Sequence, residues 1–195
     1  MNSVCRTLGI ICVAAFPVPV QAQNVTLNLD PALTQIAFTV GAVLHTVEGT
    51  FKLKNGAIQF NPATGEAGGE IIVDGTTGET GNDSRDRKMH KSVLESATYP
   101  EIVFVPRRVR GRVSLSGESQ VQVQGSVKLH GSQHGITIPA DIRVTGDQLT
   151  ATVHFAIPYV EWGLKDPSTF LLRVDKKVDV VIHATGRLVL PPASS

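Results

Sequence analysis

Gln120-Val121-Gln122-Val123-Gln124-Gly125-Ser126-Val127-Lys128-Leu129-His130 decides the fold. Successive side chains of a strand point to opposite faces, so a period of two separates one face from the other. Val121, Val123, Gly125, Val127 and Leu129 then form a dry face, and Gln120, Gln122, Gln124, Ser126, Lys128 and His130 a wet one. The same register runs through Gln148–Ile157, where Leu149, Ala151, Val153, Phe155 and Ile157 alternate with Thr150, Thr152, His154 and Ala156. It recurs in Lys177–Leu190 through Val178, Val180, Ile182 and Ala184.

Working outward, further strands are expected at 25–29, 34–44, 46–54, 56–60, 68–75, 101–109, 111–117 and 135–145, separated by turn signals such as Asn55-Gly56 and Gly146-Asp147. Many short strands without long helices predict an all-β sandwich or barrel. Asn82–Ser96 alone breaks the alternation; Asp83 or Ser84 is the expected N-cap, and Met89, Val93 and Leu94 stand at helical spacing before Tyr99-Pro100. Pro158–Phe170, with the only tryptophan, Trp162, is expected to form a turn or lid.

The first residues read differently. Arg6, an apolar run from Leu8 to Phe16, and the small-residue end Val20-Gln21-Ala22 predict a signal peptide over residues 1–22. The run is shorter than the ~20 residues that span a bilayer. A mature chain of 173 residues suits one domain, taken as 23–190 with a tail at 191–195, in the periplasm or secreted. Cys5 and Cys12 both lie in the leader, so a core without disulfides must hold the fold. A membrane-spanning barrel would need aromatic girdles, whereas the chain has one Trp and two Tyr. The mature charges balance, and nothing in them attracts nucleic acid or an anionic membrane. A homodimer is compatible with the sequence.

No nucleophile elbow, metalloprotease helix, phosphate loop or cysteine cluster occurs in the mature chain. His130 and His134, with His154 or His183, could meet a metal, but histidines on wet strand faces need no ligand, and none is expected. Arg85, Asp86 and Arg87 read as the solvated face of a helix. An enzyme would have to bring Asp86, His90 or His130 to one cavity.

Small residues recur on the dry face at Gly49, Gly125, Ala151, Ala184 and Gly186. They either let the sheet bend and taper or leave an apolar hole rimmed by Phe38, Phe51, Phe104 and Phe155.

The order of several short landmarks resembles the YceI-like family of exported polyisoprenoid-binding proteins over nearly all of 25–190. These are Leu29-Asp30-Pro31, Gly49-Thr50-Phe51, Gly81-Asn82 with Arg85-Asp86, Tyr99-Pro100-Glu101-Ile102-Val103-Phe104, Leu129-His130-Gly131, Phe155-Ala156-Ile157-Pro158 and Trp162-Gly163-Leu164. The likeness implies a lipocalin-like, extended eight-stranded antiparallel barrel with one short helix and a lid, holding a polyisoprenoid or other apolar lipid and catalysing nothing, with no cofactor. Its interior would be lined by the four phenylalanines with Val40, Val127, Leu129 and Val153, and by Trp162 and Leu164 from the irregular piece. His45 and Arg85 are candidates for contacts with a head group. Lys88 stands where the family usually has histidine, and the arginine–histidine pair before Gly49 is reduced to His45. An alternative use of the same pocket is to hold the tail of an isoprenoid quinone in electron transport.

Overall fold

The computed structural model describes residues 24–43, 46–169 and 173–191. The residues read as a signal peptide therefore lie outside the described residues, as does His45.

Nine strands, β1 (Val25–Leu29), β2 (Gln35–Gly41), β3 (Thr46–Phe60), β4 (Ala67–Glu79), β5 (Glu101–Arg110), β6 (Gly117–Leu129), β7 (Ser132–Thr145), β8 (Gln148–Ile157) and β9 (Val178–Val189), form one sheet. From β3 to β9 each strand pairs antiparallel with the next. Both β1 and β2 bridge β9 to β3, one beyond the other along the same stave. The barrel therefore closes with eight staves, the first broken at 30–34. The break stays tied to β9 through Thr185: its carbonyl accepts the Asp30 amide at 2.8 Å, and its amide donates to Thr34 Oγ1 at 3.3 Å. Closure gives every stave a neighbour on both sides, with the β7–β8 ladder confined to Ala140–Thr145 against Gln148–Val153.

Inward residues are apolar and outward ones polar. In β8 Leu149 and Ile157 are buried while Thr150, Thr152 and His154 are exposed. In β6, Val121, Val127 and Leu129 are buried and Gln120, Gln122 and Lys128 are exposed. The dry face thus points into the barrel. Ser126 is the exception on the wet face: it is buried because Gln133 lies over it and donates to its hydroxyl at 2.6 Å.

Four local expectations are corrected. Asn55-Gly56 is no turn: it lies inside the 15-residue strand β3 at a register shift between Leu53 and Asn55, a bulge that bends the strand where Leu29 lies over Gly56. The expected strand at 111–117 is irregular, because Ser114 and Ser119 side chains take the backbone bonds a ladder would use; Ser119 Oγ accepts the Ser114 amide at 2.8 Å. The helix over 82–96 is one short helix, α1 (Asp83–Lys88), followed by a wider turn at Met89–Val93, and its cap is Asn82, whose Oδ1 accepts the Arg85 amide at 3.0 Å. Finally, His130 ends no strand. His130 and Gly131, at φ 51° and 76°, are the two residues of the β6–β7 hairpin turn, the left-handed pair that matches strand twist.

The glycines on the dry face, which the sequence left between bending the sheet and opening a hole, are occupied from the side. A Cβ at Gly49 would stand 2.3 Å from the Phe38 ring and 2.5 Å from the Glu79 carbonyl oxygen; at Gly125 it would meet the Val105 carbonyl at 2.4 Å and the Phe104 ring at 2.8 Å. Leu27 covers Gly186 in the same way, and Phe51 covers Gly78. These glycines are seats for larger neighbours. They let Phe38 and Phe51 come together, ring centroids 5.3 Å apart, instead of crossing the lumen.

Candidate functional site

The barrel encloses a cavity of about 760 Å³. That volume lies within the ~300–1,000 Å³ range of small-molecule sites. Its wall is built from the inward positions of all nine strands, so the period-two pattern that makes the strands also makes the wall apolar. Val25, Val144 and Leu188, near the ends of β1, β7 and β9, are packed in the core without lining it. Ala151 and Ala184, paired across β8 and β9, do line it, and their short side chains leave room there.

Nine of the ten interior residues expected from the sequence, Phe38, Val40, Phe51, Phe104, Val127, Leu129, Val153, Phe155 and Leu164, line this cavity. Trp162 does not. Its indole stacks flat on His134, 4.4 Å between centroids and 3° between planes, pinning the 158–164 turn to the start of β7. The turn contributes Tyr159 and Leu164 instead, which sequence patterning did not single out as a pair. Tyr159 donates its hydroxyl to the Asp175 carbonyl at 2.7 Å; burial first, then the charges of Asp166 and Asp175, push its phenol up to about 12.

One stretch supplies nearly all the polar side chains of the wall. Thr80, Asn82, Ser84, Arg85 and Lys88, in and just before α1, line one end of the cavity, with Thr34 the remaining polar contributor apart from Tyr159. The stretch is internally fixed. Arg85 Nε donates to Thr80 Oγ1 at 2.7 Å and its Nη2 to the Thr80 carbonyl at 2.9 Å. Thr80 in turn donates through both its hydroxyl, at 2.5 Å, and its amide, at 3.0 Å, to Asp86 Oδ1. Burial would raise the Asp86 carboxyl, but those two bonds, with the charges of Arg85 and His90, hold it below the ordinary value. Lys88 Nζ donates to the Pro167 carbonyl at 2.9 Å, joining the helix to the lid. Arg85 was an expected contact; Thr80, Asn82, Ser84 and Lys88 were not, since no periodicity marks residues that reach a cavity from a turn and a helix of six residues.

The histidines and acids are held elsewhere. His90 Nε2 faces the Gly78 carbonyl at 2.7 Å and Nδ1 faces Ser96 Oγ at 2.8 Å. His130 packs on Tyr99 and lies 3.3 Å from Glu95. Asp86, His90 and His130 are not brought together on the cavity wall. Among the described residues no group of three or more His, Cys, Asp or Glu side chains could hold a metal, and no helix is long and apolar enough to cross a membrane.

A sequence profile of the YceI-like domain matches residues 27–186, most of the chain. The protein belongs to the YceI-like family. Solved structures give the same barrel at low identity. BcnA of Burkholderia cenocepacia superposes at a TM-score of 0.66 with 18% identity, over 80% of this chain and 98% of that one. A domain from Saccharophagus degradans, described as polyisoprenoid-binding and implicated in plant cell wall breakdown, reaches 0.61 at 17% identity, over 85% and 98%. The YceI protein of Campylobacter jejuni reaches 0.57 at 14% identity, over 76% and 86%. None of the curated proteins matches the chain in sequence. Membership fixes this YceI-like barrel's fold.

Proposed function

We propose that this YceI-like protein is an exported carrier, periplasmic or secreted, that shelters the apolar chain of a polyisoprenoid-type lipid in its barrel and performs no reaction on it. The observation that carries this reading is the continuous apolar wall around about 760 Å³, polar almost only along the 80–88 stretch. The polyisoprenoid-binding relative supports the ligand class, and the leader-like residues 1–22 support export.

Burying a methylene contributes about 0.8 kcal/mol, so about ten of them contribute roughly 8 kcal/mol before the ordering of a flexible chain is subtracted. An apolar tunnel is therefore sufficient for binding. The test is to recover the mature protein from an exporting host, extract it with organic solvent and identify lipid by mass spectrometry, with N-terminal sequencing expected to begin at Gln23. Finding neither a copurified lipid nor a rise in melting temperature with added isoprenoid overturns carriage. A near-ultraviolet band that bleaches on reduction identifies the lipid as a quinone.

A further inference from the structure

We propose that the lipid accepted by this barrel carries an anionic head group, a phosphate or a carboxylate, received at the cavity's polar end by Arg85 and Lys88. This rests on the carriage reading and concerns what that same cavity selects.

Only two charged side chains line the cavity among the described residues, and both are cations. They stand three residues apart on α1, hence on neighbouring turns of one face. No aspartate or glutamate shares the wall with them. Neither forms an ion pair with any described carboxylate. Asp86 is the nearby acid, but its Oδ1 is taken by the Thr80 amide and hydroxyl, and it lines a separate pocket with His90 instead of the lumen.

Arg85 is also positioned before any ligand arrives. Its Nε and Nη2 bonds to Thr80 fix the plane of the guanidinium, and a guanidinium has five N–H donors, so further donors remain for a ligand. A planar fork of that kind takes carboxylate or phosphate oxygens in pairs. Lys88, bonded to the lid carbonyl of Pro167, has ammonium protons to spare and acts as a point charge beside it. Asn82 and Ser84 add neutral polar groups on the same rim. The apolar lumen behind them lowers the local dielectric, which strengthens attraction to an anion at the rim. A neutral alcohol or quinone ring would leave both cations facing the head group with no counter-charge on the cavity wall.

The experiment uses the delipidated mature protein and displacement of a fluorescent apolar probe by chain-matched ligands: geranylgeranyl phosphate against geranylgeraniol, and oleate against oleyl alcohol. Both anions, or the one whose geometry fits, are expected to bind at least tenfold tighter than their alcohols, and the two pairs separate a phosphate from a carboxylate preference. In an Arg85→Gln/Lys88→Gln variant the ratio is expected to fall to within twofold of unity. Raising salt to about 1 M, where the Debye length is about 3 Å, should shrink the ratio in the unsubstituted protein, a readout that survives if the variant does not fold. Equal affinity for anion and alcohol overturns the head-group inference and leaves carriage standing. A preference that persists in the folded variant overturns its assignment to these two residues, and no binding by any of the four ligands overturns carriage itself.

Discussion

The wall of the cavity and its polar end are built by different means. The wall comes from strands, where every second residue must face inward and an apolar choice at each such position closes a dry lumen. The end comes from Thr80 to Lys88, where a turn and six helical residues deliver five polar side chains to one place through a fixed chain of hydrogen bonds. In the proposed function the wall holds any apolar chain of suitable width, whereas choice among head groups falls to a few residues at the end. On that reading affinity and selectivity belong to separate parts of the molecule and can be changed separately.

The largest effect expected is on the wall. Ala184→Phe places a ring in the lumen and displaces roughly three to four methylenes of ligand at about 0.8 kcal/mol each. Lipid affinity should drop about a hundredfold, for charged and neutral heads alike. Titration with both head classes checks this, and a loss confined to one class would break the division between wall and rim.

Gly49→Ala strikes a seat instead of the lumen. Its Cβ would meet the Glu79 carbonyl as well as the Phe38 ring, and only the ring can move, so a destabilisation of about 2 kcal/mol is expected by denaturant unfolding. Gly68, with open space around its Cβ, provides the control: Gly68→Ala should change stability by under about 0.5 kcal/mol.

Tyr159, in the turn at the cavity wall, makes stability depend on pH. Its phenol titrates near 12 in the fold against about 10 in an unfolded chain, so the folded form keeps a proton that the unfolded form loses in between. Stability is complete below about pH 10 and falls as pH rises toward 12, by on the order of 2 kcal/mol. Tyr159→Phe removes that slope, which chemical denaturation at alkaline pH can follow.

The smallest effect belongs to the outer face. Arg143 and Glu118 pair across β6 and β7 with most of their side chains in water, so Arg143→Gln should shift stability by less than about 1 kcal/mol and leave lipid binding unaltered.

The same division explains what could be read in advance. Strand periodicity located the wall, including Phe38, Val127 and Phe155, because burial and alternation are one signal. It misassigned Asn55-Gly56, since a bulge and a hairpin turn use the same residue types and only pairing partners tell them apart. The glycines at 49 and 125 were legible as special but not as seats, because the rings that fill them come from Phe38 on another strand and Phe104 on another again. Trp162 looked like a ligand contact; its aromatic partner, His134, lies 28 positions earlier in sequence. The rim was legible only at Arg85.

Pairing of the first stave with β9 also governs how the chain must fold. Thr26 lies opposite Val189, and Phe38 opposite Val180, so the seam between the earliest and latest strands spans almost the whole domain. Contacts so distant in sequence demand the full entropy of loop closure before they return any stability, which makes such topologies slow to form. During synthesis from the amino end, the hairpins from β3 to β8 can assemble while the seam waits for residues 178–189. Until they arrive the apolar lumen lies open to water, and it is in that interval that the protein is most exposed to aggregation and most in need of a chaperone.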